Sequence, residues 1–362
     1  MSARYSYYCL ESGCNIMGLK GLGEITLIKT HNLPNITING FKLKATTPYK
    51  FYSPSTHSSI PLACSSNTFI ENINDTYDPV LLDKTSAEYE IIYKKITSRD
   101  ILAIFRLDQS HRNGDFSMCT PLHCLKLFNK IFKETEPKIV KNSINTIKFG
   151  KQEKHFIDNR VHESSRIVCV GPANSGKSTF NRYLVNNLLS KYESVIYVDL
   201  DPGQTEFTPP SFLSVVKLNS PILGPPYTHD FNEINVAKSV FLGNLSPGST
   251  CHRYMECVET LIEYLDKYLS GSGFPVVVNF MGWMEGMGLK LLGDSCRLIN
   301  PTDIVQLDAN GKRGTNVEIL DADTLFENTI YYKNRHGELV EPITTNSWKQ
   351  SFQKSWNSQT GP

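Results

Sequence analysis

Lys177 and Ser178 close the stretch Gly171-Pro172-Ala173-Asn174-Ser175-Gly176-Lys177-Ser178, followed by Thr179, which fits G-x-x-x-x-G-K-[ST] at every fixed position. Glycines at the two ends of such a loop let backbone N–H groups curl around phosphate oxygens, and a helix starting at the lysine adds a partial positive charge. In that arrangement Lys177 reaches the β- and γ-phosphates and Ser178 ligates Mg²⁺. The stretch sits between the apolar run RIVCV and the amphipathic run KSTFNRYLVNNLLSKY, so strand, loop and helix follow in the required order. Downstream of Lys177 there is no Asn/Thr-Lys-x-Asp string of the kind that reads guanine, which favours ATP.

A second group of chemically capable residues ends the next apolar run, in VDLDPGQTEF. Asp199 and Asp201 fall at the carboxyl end of a strand expected beside the phosphate loop, where ligands sit in open α/β sheets. The two-residue spacing predicts that both carboxylates share one face of the strand. One can join a Mg²⁺ shell while the other accepts the proton of an attacking hydroxyl, as phosphoryl transfer requires.

The elements that must position these groups follow from periodicity. From Ser165 onward, the runs RIVCV, SVIYVDL, PVVVNF and DIVQL alternate with helical patterns, including a long one in STCHRYMECVETLIEYLDKYL capped by Ser249 or Thr250 and another over about Glu285–Arg297. Strands apolar on both sides between amphipathic helices predict a parallel sheet covered on both faces. Residues 1–105 read differently: GEITLIK, ITINGFKLKA and YEIIYKK are rich in β-branched and aromatic residues, and Asn39-Gly40 signals a tight turn. The expected fold is therefore an α/β P-loop NTPase sheet with flanking helices at 161–320, preceded by a β-rich, sandwich-like domain at 1–105. Residues 106–160 are expected to form a helical patch around TPLHCLKLFNKIFKE and a linker, and 321–362 a polar, frayed tail.

Composition narrows the partners. Lys+Arg number 37 against 36 Asp+Glu, so nucleic acid has no global basic surface to bind and would need a local groove. A 40% hydrophobic content is enough for packed cores. The nine cysteines include no CxxC pair; Cys9/Cys14, Cys119/Cys124 with His123, and Cys251/Cys257 with His252 are the closest groupings. Reduced thiols of an intracellular protein are the expectation, ahead of a metal site. No signal-peptide pattern opens the chain and no apolar run is long enough to cross a bilayer, so no membrane partner is expected.

In order along residues 165–308, the chain carries GPxxxGKSTFNRYLxN, DLDPGQTEFTPP, LGPPYTH, NFMGW…GMGLKLL and VQLD. This series resembles the nucleolar polynucleotide 5′-hydroxyl kinases of pre-ribosomal-RNA processing, sisters of the cleavage-factor RNA 5′-kinases. FNRYL and GQTEFTPP point to the animal nucleolar branch, and INGFKL with FYSPSTHSS looks like that family's β-domain. The resemblance implies ATP and Mg²⁺ contacts at Lys177 and Ser178, a general base for an RNA 5′-hydroxyl at Asp201, and Asp199 near the metal. It implies Gln204 close to metal and acceptor, and Trp283 as the platform on which the terminal base stacks, a contact indifferent to base identity. It further implies pre-rRNA with a 5′-hydroxyl end as substrate, large-subunit rRNA maturation as the setting, a HEPN-type endoribonuclease complex as partner, and placement in the nucleus and nucleolus.

Two departures accompany the resemblance. The family usually has Asn-Thr before the MGW turn, where this chain has Asn279-Phe280. Relatives also continue past VQL into an arginine-rich lid and a C-terminal domain, whereas the arginines downstream here are Arg313 and Arg335. The expectation is a chain truncated before the lid. Two alternatives stay open on sequence: a catalytically weak, ATP-binding structural subunit of a nuclease complex, and a GTPase of the Gly-Pro-Asn-loop type suggested by Asp201-Pro202.

Overall fold

The computed structural model describes residues 5–12, 16–29, 36–44, 47–53, 58–64, 68–73, 101–106, 138–141, 149, 151–229, 234–269, 271–308, 320, 325 and 352–355. The chain divides into two compact units, the first formed by Met1–Glu153 with Ile222–Asp230, the second by Lys154–Pro221 with Phe231–Pro362.

The first unit is a nine-stranded antiparallel sheet built from β1 (Tyr5–Ser12), β2 (Ile16–Lys29), β3 (Ile36–Ile38), β4 (Phe41–Lys42), β5 (Pro48–Ser53), β6 (Ile60–Cys64), β7 (Thr68–Ile73), β8 (Ile101–Arg106) and β9 (Lys138–Lys141). The 14-residue β2 is its spine, pairing with β5, β6, β8 and β9 along its length. Asn39 and Gly40, at φ 47° and 87°, make the left-handed turn between β3 and β4 that their sequence predicts. Leu19, Ile25, Ile38, Phe51 and Leu62 are fully buried, and Phe41 meets Tyr49 edge-on at 5.3 Å. The segment Ile222–His229 belongs to this unit although it lies far along the chain: Leu223 O accepts a hydrogen bond from Tyr52 N (2.8 Å), and Gly224 leaves no room for a Cβ between Thr228 and Tyr52. The strand expected in YEIIYKK and the helix expected from Thr120 lie outside the described residues.

The second unit opens with α1 (Lys151–Asn159), whose first residues belong to the first unit, and continues β10 (Arg166–Val170), α2 (Lys177–Leu189), β11 (Val195–Leu200), β12 (Phe212–Leu218), β13 (Asn235–Phe241), α3 (Cys251–Tyr268), β14 (Val276–Phe280), α4 (Met287–Ile299), β15 (Asp303–Asp308) and β16 (Phe352–Ser355). The sheet order is β13-β12-β11-β14-β10-β15-β16. From β11 to β16 all pairings are parallel, while β12 and β13 add antiparallel at one edge. Val276, Val278 and Phe280 of β14 join the core under α3 and α4, whereas Asn279, of opposite parity, faces α2. Helices therefore cover both faces, as the apolar strands predict.

Four features differ from the sequence reading. The antiparallel pair β12–β13 replaces what reads as connection, because Lys217 and the half-exposed face of β13 dilute the apolar signal. The strand carrying Asp199 is not beside β10: β14 runs between them, in register Cys169–Asn279–Asp199. Thr250 occupies the start of α3 without a side-chain cap hydrogen bond, so a serine or threonine there is no capping device. Within the stretch expected to be a frayed tail, residues 352–355 pair parallel with β15.

Candidate functional site

β10 is central in the second unit's sheet, and the chain leaves its carboxyl end directly into the phosphate-type loop. Gly171 (φ 147°), Asn174 (φ 63°) and Gly176 (φ 93°) take the left-handed conformations that curl it. A Cβ on Gly171 would come 2.2 Å from Leu307 O of β15, so only glycine fits this turn. α2 begins at Lys177 with no side chain capping its first N–H groups, which leaves them for an anion.

Residues Ala173 to Thr179 form one wall of a cavity of about 720 Å³. The opposite walls are Asp201–Gln204, Leu245–Pro247 and Met281–Trp283. Of the residues singled out on sequence, Lys177, Ser178, Asp201, Gln204 and Trp283 thus line the same cavity. Lys177 is buried, and its Nζ donates to Gly171 O (2.8 Å) and Pro172 O (3.0 Å). Burial pulls its ammonium below the ordinary lysine range, opposed by the charge of Asp201.

Asp201 lies one residue past β11, so strand alternation no longer governs it. Its Oδ1 accepts from Gly203 N (3.0 Å) and Gln204 N (3.1 Å), while Oδ2 has no hydrogen-bond partner among the described residues. The side chain is pinned through one oxygen and has the other to offer. Asp199 behaves differently from its expected place at the metal. It is fully buried and absent from the cavity wall. Oδ1 accepts from Asn279 Nδ2 (2.9 Å) and Asp201 N (3.3 Å), Oδ2 from Glu206 N (2.7 Å). Desolvation pushes its carboxyl up to about 7 against those donors.

The MGW turn is built by close packing. A Cβ on Gly282 would lie 2.7 Å from Ala173 N, so the turn rests directly on the phosphate loop. The Trp283 ring stands over Gly288 of α4, where a Cβ would come 2.4 Å from Cγ, and within 3.9 Å of the Cβ position of Gly248. Phe280, in place of the family's threonine, is fully buried and faces Tyr254 edge-on at 6.5 Å; it is a core residue and not part of the cavity wall. Sequence reasoning missed the wall at Leu245–Pro247. Its only signal is the turn-rich GNLSPG string before α3.

These residues fit a nucleoside triphosphate by the glycine cradle and the uncapped helix start, and Ser178 places a hydroxyl-bearing side chain on the same cavity wall. Among the described residues no cluster of His, Cys, Asp and Glu makes a ready-built metal site. Cys257 is buried in the core, and Cys119, Cys124 and His123 lie outside the described residues.

Residues 171–343 match the family described as mRNA cleavage and polyadenylation factor CLP1 P-loop. The chain's curated homologues are polynucleotide 5′-hydroxyl kinases. The Dictyostelium discoideum polynucleotide 5′-hydroxyl-kinase nol9 is 41% identical over 145 residues, which is 40% of this chain and 21% of that protein. The Danio rerio NOL9 is 37% identical over 49% of this chain and 23% of its own length, and the Homo sapiens NOL9 is 41% identical over 39% and 19%. The chain thus spans about a fifth of the length of the curated relatives it matches. Among solved structures, the Clp1p–Pcf11p complex aligns with 89% of this chain and 70% of its own at 11% identity and a TM-score of 0.48. No helix of the described residues is long and apolar enough to cross a membrane.

Proposed function

We propose that this CLP1 P-loop domain is the catalytic part of an ATP-dependent polynucleotide 5′-hydroxyl kinase that acts on RNA ends in pre-rRNA processing. The observation that carries the reading is that Lys177, Asp201 and Trp283 line one cavity. The uncapped start of α2 and the loop N–H groups receive the triphosphate, and Lys177 exchanges its two loop carbonyls for phosphate oxygens. Trp283 offers its ring to the terminal base and sets the 5′-oxygen facing the γ-phosphorus. Asp201 Oδ2 accepts the hydroxyl proton as the new O–P bond forms and the bond from the γ-phosphorus to the β,γ-bridging oxygen breaks, so that ADP leaves. A Mg²⁺ held by Ser178 would offset charge on the β- and γ-oxygens. Asp199, with its oxygens already taken by three donors, supports the loop and does not ligate the metal.

The homologues' names support a nucleolar setting, and on the resemblance a HEPN-type endoribonuclease would supply the 5′-hydroxyl ends in large-subunit rRNA maturation. The test is transfer of labelled γ-phosphate from ATP to a 5′-hydroxyl oligoribonucleotide, with a 5′-phosphorylated oligonucleotide as control. Transfer abolished by Asp201→Asn is the expected result. No transfer at any protein concentration, with ATP still protecting against heat, supports the structural-subunit reading for this chain. A strong preference for GTP in competition binding supports the Gly-Pro-Asn-type reading.

A further inference from the structure

Asn181 and Arg182 are neighbours on α2, one turn beyond Lys177, and both feed one hydrogen-bonded ring. Asn181 Nδ2 donates to Asn279 Oδ1 (3.0 Å), and Asn279 Nδ2 donates to Asp199 Oδ1 (2.9 Å). Asp199 Oδ2 accepts from the backbone N–H of Glu206 (2.7 Å). The Glu206 carboxylate then accepts from Arg182 in a two-pronged pair, Nε to Oε1 (2.8 Å) and Nη2 to Oε2 (2.9 Å). The peptide bond between residues 181 and 182 closes the circuit.

The ring touches the elements behind three of the four stretches that line the cavity. α2 holds Lys177 and Ser178, β11 runs into the loop of Asp201 and Gln204, and β14 runs into Gly282-Trp283. None of the five members lines the cavity itself. Asn181, Asp199, Asn279 and Glu206 are all buried, with Arg182 20% exposed at the rim. Burying two carboxylates is costly, and a packed apolar cluster would stabilise the fold as well or better; what a buried, hydrogen-bonded ion network supplies instead is one defined geometry, here with Asn181 Oδ1 as its one unpaired atom among the described residues. The fork of Arg182 matters because it fixes the plane and the position of Glu206 together, which a point charge would not do.

Building on the kinase reading, we infer that Asn181, Arg182, Asp199, Glu206 and Asn279 form a positioning frame that sets the acceptor-side loop of Asp201 and Gln204 at a fixed spacing from the phosphate-loop helix. Arg182 and Glu206 act through that loop and touch no substrate. Removing either releases the acceptor loop and leaves the phosphate cradle, which α2 and β10 form between them.

The experiment compares Arg182→Met, Glu206→Gln, the double variant and Arg182→Lys with the wild-type chain, after melting curves show which are folded. Three quantities are read: affinity for a non-hydrolysable ATP analogue, affinity for a 5′-hydroxyl oligoribonucleotide, and kcat with the oligonucleotide KM. The frame predicts analogue affinity within about threefold of wild type and oligonucleotide binding weakened about tenfold, with the double variant no worse than either single one. Arg182→Lys, which keeps the charge and loses the fork, falls between wild type and Arg182→Met, and it serves as the test should Glu206→Gln not fold. Unchanged oligonucleotide affinity in folded variants overturns the inference, as does a parallel fall in analogue affinity. A wild-type chain that binds both ligands and transfers nothing defeats the kinase reading alone, because the two binding measurements still decide the frame.

Discussion

Lys177 holds its charge at a cost in the free protein, since burial pulls its ammonium below the usual range. A bound triphosphate favours the charged form and raises that pKa again. Between the two values, binding must therefore take up a proton, and the uptake fades at lower pH, where the lysine is charged in both states. Calorimetry of ATP-analogue binding over a pH series, in buffers of different ionisation enthalpy, should show this uptake increase on approaching the ordinary lysine range from below, and Lys177→Ala should remove it along with most of the affinity. Trp283→Ala should weaken oligoribonucleotide binding by about 1–3 kcal/mol with little change for the nucleotide; an equal loss for both ligands would mean that the ring supports the phosphate loop instead. Lys177, Ser178 and Asp201 stand out in the sequence by their spacing around glycines and a strand end, Gln204 and Trp283 only through the resemblance, and all five line the cavity. Asp199 is less legible for a physical reason: a carboxylate at a strand end can serve a metal or the backbone, and its burial beside three donors is visible only in the fold.

At the scale of elements, backbone contact decides what can change. Gly282→Ala drives a Cβ to 2.7 Å from Ala173 N, where neither turn nor loop can yield cheaply. The variant is expected to lose about 1–3 kcal/mol in denaturant melts and to bind ATP analogue more weakly, since the loop it displaces is the phosphate cradle. Phe280→Thr restores the family's usual residue and yet is expected to destabilise by about 3 kcal/mol, because it opens space beside Tyr254 and buries a hydroxyl. A variant as stable as wild type would show that the neighbouring side chains collapse into the gap. The four parallel strands β10, β11, β14 and β15 could be read from the chain as apolar runs of five or six residues. Their order could not, because nothing local in RIVCV or PVVVNF says which strand will lie beside which. The insertion of β14 between β10 and β11 is what gives Asn279 its bridging place.

For the whole molecule, the division into two units follows a line that composition reveals only in part. The change from β-branched runs to alternating strands and helices marks the second unit's start near residue 160, yet Ile222–Asp230 returns to the first unit. LGPPYTH carries no hydrophobic period, so its destination is set by Tyr52 and its own tight turn at Pro226–Thr228. A fragment of residues 1–153 is accordingly expected to melt below the intact chain, and a synthetic peptide of residues 222–230 should raise its melting temperature; no effect of the peptide would show that the sheet closes without it.

Synthesis proceeds from the amino terminus, so the β-rich unit emerges from the ribosome lacking a piece of its own packing. It must wait, with Leu223's place vacant beside Tyr52, until the nucleotide cradle and the acceptor loop have both been translated. Completion of the earlier body thus reports that the cradle and acceptor loop of the later one have been made, and a nascent chain arrested before residue 222 should display a surface that chaperones recognise.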